Sequence, residues 1–340
     1  MEAVLDANAE RDSGDAEDLM VGRIIAGDIE ELQYSVDPWE LRMDQLSCGR
    51  LQASFSVVQL CGILLTREYW SRRVAATGMT PAGYVAVAGT CPGGHFNWCG
   101  SRIRPGRLVF AVDATEVDFV TPDGDDHWVM LIPVTLLVNQ LGEELAADLL
   151  RIDRVLFGDP RANAELSSQV IHIIRFFCAL EGCAVDPEIL IRLEEQLINS
   201  TIRCLLLSQP GRADPARTTR RFHAYRQARR RLESDRGETK IEELVKLTGV
   251  SRRSLEMGFK EMLAVSPQYF ARHVRLNGWR RDLLLASPEL QTVTSIAEDW
   301  GFSELGRAAG YYRRLFGELP HETLRRDVAP QGARLVDALH

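Results

Sequence analysis

Two rhythms divide the chain. From Val21 to about Asp153 short apolar stretches alternate with turn signals such as Pro38, Gly49, Pro81, Pro92-Gly93-Gly94, Pro105-Gly106 and Pro122-Asp123-Gly124, the spacing of a β-sandwich or barrel. Segments such as RLVFAV and DHWVMLIPV are dense in β-branched and aromatic residues, which fit a pleated, half-buried surface. The apolar run from Val129 to Val138, interrupted by Pro133, reads as a buried strand. After Arg151 the period lengthens: Ile171, Ile174, Phe177 and Cys178 recur at helical spacing, as do Ile189, Leu193, Leu197 and Leu205 after Pro187. Two helices packed as a hairpin are predicted, which either closes the preceding core or forms a dimer seam. Pro, Gly and small polar residues from Ser208 to Thr219 mark a linker.

The last third has a denser punctuation. FHAYRQARRRLES reads as a helix that stops at Gly237, and Thr239 with Glu242 forms a capping-box pattern for the next one. Ile241, Leu244, Val245 and Leu247 make a short apolar stripe, Gly249 breaks it, and Ser251 caps a second helix that buries Leu255, Gly258, Phe259 and Met262. This is the form of a helix-turn-helix. It exposes Arg252, Arg253, Ser254, Glu256, Met257 and Lys260, with arginines at the end that suits base-edge or phosphate contacts in a major groove. The design recurs with Val293, Ile296, Ala297 and Trp300, then Gly301, Phe302 and a capping Ser303. The second reading helix buries Leu305, Ala308, Tyr312 and Phe316 and exposes Glu304, Gly306, Arg307 and Gly310. Between the units, Ser266-Pro267 opens a longer helix that sets their spacing.

The fold expected is α+β with two domains. Residues 1–20 form a disordered acidic tail, 21–207 a sensor or dimerisation domain, 208–219 the linker, 220–326 an all-helical domain with tandem helix-turn-helix units, and 327–340 a second tail. The sensor domain is cupin- or jelly-roll-like and β-rich to about 155, with the helical hairpin at 160–207.

Charge follows the same division. The whole chain carries −8, yet residues 217–326 hold 22 basic against 14 acidic residues, so a basic module is joined to an acidic body. That layout suits a protein whose nucleic-acid contacts lie at one end. Arg229, Arg230 and Arg231 read as a solvated helix face that adds phosphate contacts at most. Seven scattered cysteines without a CxxC pair read as reduced, packed thiols. Cys91, His95 and Cys99 match no compact zinc spacing and lack a fourth ligand, so a strand-turn-strand hairpin is expected there and no metal or other cofactor. Trp39, Trp70, Phe96, Trp98, Phe110, Phe119 and Trp128 are either core or the lining of an apolar effector pocket. Arg102, Arg104 and Arg107 read as surface residues, or as partners of an anionic effector. Without a secretory signal or a membrane-length apolar stretch, the expected location is the cytoplasm, with no membrane partner.

The stretch ELVKLTGVSRRSLEMGFKEMLAVSPQYFARHVRLN, followed by SIAEDWGF and YYRRLFGELPHETLRR, resembles the AraC/XylS family of transcription regulators over about a third of the chain. Within it, RLNGWRRDLL and WGFSELGR are most similar to the ethanolamine operon regulator branch. The resemblance implies an all-helical DNA-binding domain of two helix-turn-helix units. The leading reading is a homodimer on double-stranded DNA in which a small-molecule effector at the N-terminal domain changes how the C-terminal domain engages DNA, with RNA polymerase a partner if it activates; no enzyme activity is expected. Ala308 stands where the family has an aromatic, and Gly306 and Gly310 each cost about 1 kcal/mol of helix propensity relative to Ala. The second head therefore either meets DNA through backbone and phosphates or is marginally ordered when free. Two other readings compete: an enzyme or repair protein that docks through its helical domain, which no GxSxG, P-loop or HExxH motif supports, and a regulator without a small ligand.

Overall fold

Alternation of inward and outward residues builds the first half into β1 (Leu19–Ala26), α1 (Ile29–Ser35), β2 (Glu40–Gln45), β3 (Ala53–Leu60), β4 (Ile63–Trp70), β5 (Val74–Met79), β6 (Tyr84–Thr90), β7 (Phe96–Trp98), β8 (Ser101–Ile103), β9 (Leu108–Ala111), β10 (Glu116–Val120) and β11 (Asp125–Pro133). Then come α2 (Val134–Leu141), α3 (Glu143–Leu150), β12 (Arg154–Leu156), α4 (Pro160–Ala179) and α5 (Pro187–Leu207). The remainder is helical: α6 (Arg220–Ser234), α7 (Ile241–Thr248), α8 (Arg252–Leu263), α9 (Pro267–Leu285), α10 (Val293–Asp299), α11 (Leu305–Phe316) and α12 (Pro320–Leu324). The computed structural model describes residues 19–326 except 37, 92–93, 113–114, 151–153, 157–158, 181–184 and 209–219. The linker from 209, the tail from 327 and the acidic tail up to 18 lie outside the described residues; Leu19 and Met20, expected in that tail, begin β1.

The strands form two antiparallel sheets, one ordered β1-β3-β4-β11-β6-β9-β12 and the other β2-β5-β10-β7-β8. Phe55, Val57, Trp70, Ala86, Ala88 and Leu131 of the large sheet share one core with Leu41, Met43, Ala76, Phe96, Trp98 and Phe119 of the small one. The opposite face of the large sheet, including Leu65, Val87, Phe110, Trp128 and Met130, packs beneath the α4–α5 hairpin. Period two thus gives β3, β4, β6, β9 and β11 of the large sheet two apolar faces, one for each layer.

Several expectations need correction. The buried run does not continue as strand to Val138: it ends at Pro133, whose extended backbone (φ −53°, ψ 132°) starts α2 instead. On α5 the buried phase falls on Leu190 rather than Ile189, which is half exposed. The segment from Cys91 to Cys99 is a crossing from β6 in the large sheet to β7 in the small one, and the tight hairpin lies beyond it between β7 and β8.

In the helical domain α6 packs across α7 and α8, and Phe222, Tyr225, Leu244, Leu255, Phe259, Phe270 and Val274 form its first core. The second unit buries Trp279, Ile296, Ala297, Ala308, Tyr312 and Phe316 against α9. Gly249 (φ 64°) and Gly301 (φ 71°) both turn in the left-handed region, where a Cβ would be strained. The Thr239 capping box does not form. Asp235 takes the Thr239 hydroxyl and backbone N–H, and α7 starts at Lys240 without a side-chain cap. Leu247 is exposed. Ser303 likewise does not cap α11, whose N-cap position is Glu304.

The small sheet's outer face joins the two domains. Leu46, Ala75 and Val120 extend the first helical core. Arg229, far from being solvated, is 1% exposed and holds Asp118 of β10 at 2.6 Å and Glu233 at 2.8 Å, while Arg230 pairs with Glu116. Burial pushes the Asp118 carboxyl upward and Arg229 and Arg226 draw it back. At the other end of the seam, buried Arg280 of α9 reaches Asp28 at 3.0 Å, Glu30 at 2.6 Å and Glu318 at 2.5 Å. Between them Asn277 exchanges two hydrogen bonds with the backbone of Gln45, at 2.9 and 3.1 Å, and Arg281 meets Asp44 at 3.0 Å.

Candidate functional sites

The first reading helix, α8, is positioned by its cap and its buried side. The Ser251 hydroxyl accepts the Ser254 N–H at 3.2 Å, and Leu255, Gly258 and Phe259 face the core. Arg252, Arg253, Glu256, Met257 and Lys260 are exposed and Ser254 is half-buried, all on the opposite side. These residues are chemically unequal. Arg252 is held by Glu256 at 3.0 Å and by Glu242 of α7 at 3.7 Å, whereas Arg253 and Lys260 have no ion-pair partner among the described residues. An unpaired guanidinium at the start of an exposed helix is free to fork onto a base edge or a phosphate.

The second helix, α11, presents Glu304, Gly306, Arg307 and Gly310 outward, and Ala308 turns inward. Arg307 donates to the Tyr311 hydroxyl at 3.0 Å and lies 3.5 Å from Glu304. That hydrogen bond holds the Tyr311 phenol below its ordinary range. A Cβ at Gly306 or Gly310 would meet nothing within 4 Å, so neither glycine is required by packing within the chain. Between α9 and α11 runs a groove lined by Gln268, Arg272, Arg275, Ser303, Arg307 and Tyr311. Arg272 lies 4.5 Å over the Tyr311 ring and 5.3 Å over Tyr269, and Arg275 lies 5.9 Å over Phe302. The sequence reading missed Arg272 and Arg275. Their spacing of three on one helix, each stacked on an aromatic, was the available signal.

A different site lies inside the sandwich. Trp39, Trp70, Phe96, Trp98 and Phe119 line one cavity, together with Val36, Met43, Glu68, Thr121 and His127. About 40 Å³ of it is open to the centre of a water molecule. Phe110 and Trp128, expected as possible lining, lie instead under the α4–α5 hairpin. Arg102, Arg104 and Arg107 are exposed and do not belong to this lining. His127 lies between Asp125 (Nδ1 to Oδ2, 2.7 Å) and Glu68 (Nε2 to Oε2, 3.4 Å). Burial disfavours its charged form, but Asp125 and Glu68 outweigh burial and raise its pKa to about 10.

The pleat links this cavity to the domain seam. On β10, Phe119 faces the cavity and Asp118 the helical domain; on β2, Met43 faces the cavity and Asp44 the helical domain.

Residues 244–326 match a family model described as "Helix-turn-helix domain". Over 85 residues the chain is 41% identical to the "Probable thc operon regulatory protein" of Rhodococcus erythropolis, covering 25% of this chain and 26% of that protein. It is 40% identical over 85 residues, with the same coverage, to a "XylDLEGF operon transcriptional activator" of Pseudomonas putida. A crystal structure of "a probable AraC family transcriptional regulator from Rhodopseudomonas palustris CGA009" is 39% identical, covering 32% of this chain and 99% of that one, with a TM-score of 0.29. The chain spans about a quarter of the length of the curated relatives it matches.

Proposed function

The C-terminal module is a helix-turn-helix domain of the AraC/XylS type, and from that premise we propose that the whole chain is a sequence-specific, DNA-binding transcription regulator controlled by a small effector held in the sandwich. The observation that carries it is the pair of reading helices, α8 and α11, whose exposed faces are left open while their buried faces are locked into one domain. Arg253 and Lys260 supply uncommitted charge on the first. Ser251, Arg252, Ser254, Glu256 and Met257 complete its face, and Glu304, Gly306, Arg307 and Gly310 form the second. We add Arg272 and Arg275, whose groove borders α11, as phosphate contacts.

Control follows from the shared strands. A ligand that shifts Phe119 or Met43 shifts Asp118 or Asp44 with it, and so biases how the helical domain is held. Such a ligand acts only by binding one arrangement more tightly than the other. The chain acts as a homodimer, with the outward face of the α4–α5 hairpin as the seam, where Phe176, Ile189, Ile191 and Leu206 are exposed. If it activates, RNA polymerase is its further partner. Its place is the cytoplasm, where a regulator meets its operator DNA. Among the described residues no helix is long and apolar enough to cross a membrane. No catalytic step is assigned to it. The finer similarity to the ethanolamine operon branch rests on RLNGWRRDLL and WGFSELGR alone, and the relatives quoted above carry thc and XylDLEGF operon names.

The test is binding of the full chain to DNA from its own upstream region, titrated with salt, beside a chain ending at Gly211. Saturable binding that weakens steeply with salt and vanishes in the shorter chain is expected. Equal binding by both would overturn the assignment.

A further inference from the structure

The wall that the large sheet contributes to the cavity buries more acid than base. His127 of β11 stands directly across from Glu68 of β4, with Asp125 and Thr66 two residues along their strands on the same face. Glu68 is 4% exposed, Asp125 1% and His127 6%. Thr66 donates its hydroxyl to Glu68 at 2.8 Å. Two carboxylates against one imidazole leave a formal negative charge. Among the described residues no lysine or arginine lines the cavity, and Arg67, the cation beside Glu68 in sequence, faces the other side of the sheet, where Asp126 holds it at 2.8 Å.

The facing wall is aromatic, with Phe96, Trp98 and Phe119, and Trp70 of β4 adds a ring from the large sheet. Trp98 stacks on Phe119 with centroids 5.6 Å apart, Trp70 meets Phe119 at 6.3 Å, and Trp70 and Phe96 approach His127 at 5.2 and 5.9 Å. Aromatic faces attract a cation most strongly where water is excluded. A carboxylate here would meet the net negative charge that Glu68 and Asp125 keep against the one imidazolium of His127, and be repelled. Trp70 and Trp98 are buried, yet the Nε1 donor of each finds no hydrogen-bond partner among the described residues. A neutral oxygen on the ligand would satisfy such donors without adding negative charge.

We propose that the sandwich cavity binds a small organic cation, an ammonium of a few non-hydrogen atoms. The inference rests on the effector reading above and adds to it the charge and size of the ligand.

The test titrates the full chain with propylammonium, 1-propanol and propionate, three compounds of similar size and different charge, read by calorimetry and by melting temperature. Saturable binding of propylammonium at millimolar concentration is expected, with at least tenfold weaker binding of the other two. Glu68→Gln should weaken the ammonium at least tenfold and Trp98→Leu should abolish its binding, while the circular dichroism of both ligand-free variants matches the parent. Propionate or propanol binding as tightly as the ammonium, and lost in Trp98→Leu, would overturn the cation while leaving the cavity an effector site. Failure of all three to bind a chain that still binds DNA would overturn the cation and the effector reading together.

Discussion

Arg253 and Arg229 belong to the same basic domain and do opposite work. Arg253 is exposed and unpaired among the described residues, so truncating it costs the fold little. Arg253→Ala is expected to weaken specific DNA binding by about 1 to 3 kcal/mol and to relax preference at one base pair, as loss of a bidentate base contact does. A binding titration against point-substituted operators checks this, and unchanged affinity and preference would remove Arg253 from the reading set. Arg229 is enclosed, and its partner lies across the seam. Asp118→Asn leaves that guanidinium with the Glu233 carboxylate and the Tyr225 hydroxyl in a dry site, for which a loss of about 3 kcal/mol is expected in chemical denaturation. Arg253 was legible because its exposure follows from its own helix. Arg229 was not: a carboxylate 111 residues upstream determines its burial, and helical phase alone places it in a run of three arginines.

At the scale of the element, what the sequence disclosed was what is local. Gly249, Ser251 and the stripe on α8 lie within a few residues of each other, and each acts through its own turn or cap. Where two local signals compete, the pattern misleads. Asp235 outbids Glu242 for Thr239, and Pro133 ends a strand that apolar residues alone would continue. The large sheet's two buried faces were equally hidden, because an apolar residue in a strand does not say which layer it meets. In α11 the glycines are open to solvent, so Gly310→Ala is expected to stabilise the domain by about 1 kcal/mol through helix propensity. If DNA backbone comes close at that point, the same methyl weakens binding. Thermal melts beside binding curves separate the two effects, and a variant more stable with unchanged affinity would place α11 farther from the duplex.

Across the whole molecule, two buried histidines give the halves opposite responses to pH. His127 in the sandwich has its pKa raised from 6.5 to about 10. Its contribution is complete below pH 6.5 and is lost as pH rises through about 10. His273 on α9 is buried and hydrogen-bonded to the Tyr269 carbonyl at 2.8 Å; burial lowers its pKa from 6.5 to about 4. Its contribution is complete above pH 6.5 and declines as pH falls toward 4. Melting temperatures from pH 4 to pH 10 should therefore fall at both ends, with His127→Gln flattening the alkaline side and His273→Gln the acid side. A variant with an unaltered profile would refute the corresponding assignment. The pleat of β10 also has a consequence for how such a chain can change over time. Substitutions at Phe119 retune what the cavity admits, and those at Asp118 retune how the reading heads are held, independently and one residue apart. An insertion or deletion of a single residue in that strand exchanges the two roles at once, so this short segment tolerates replacement far better than any change in its length.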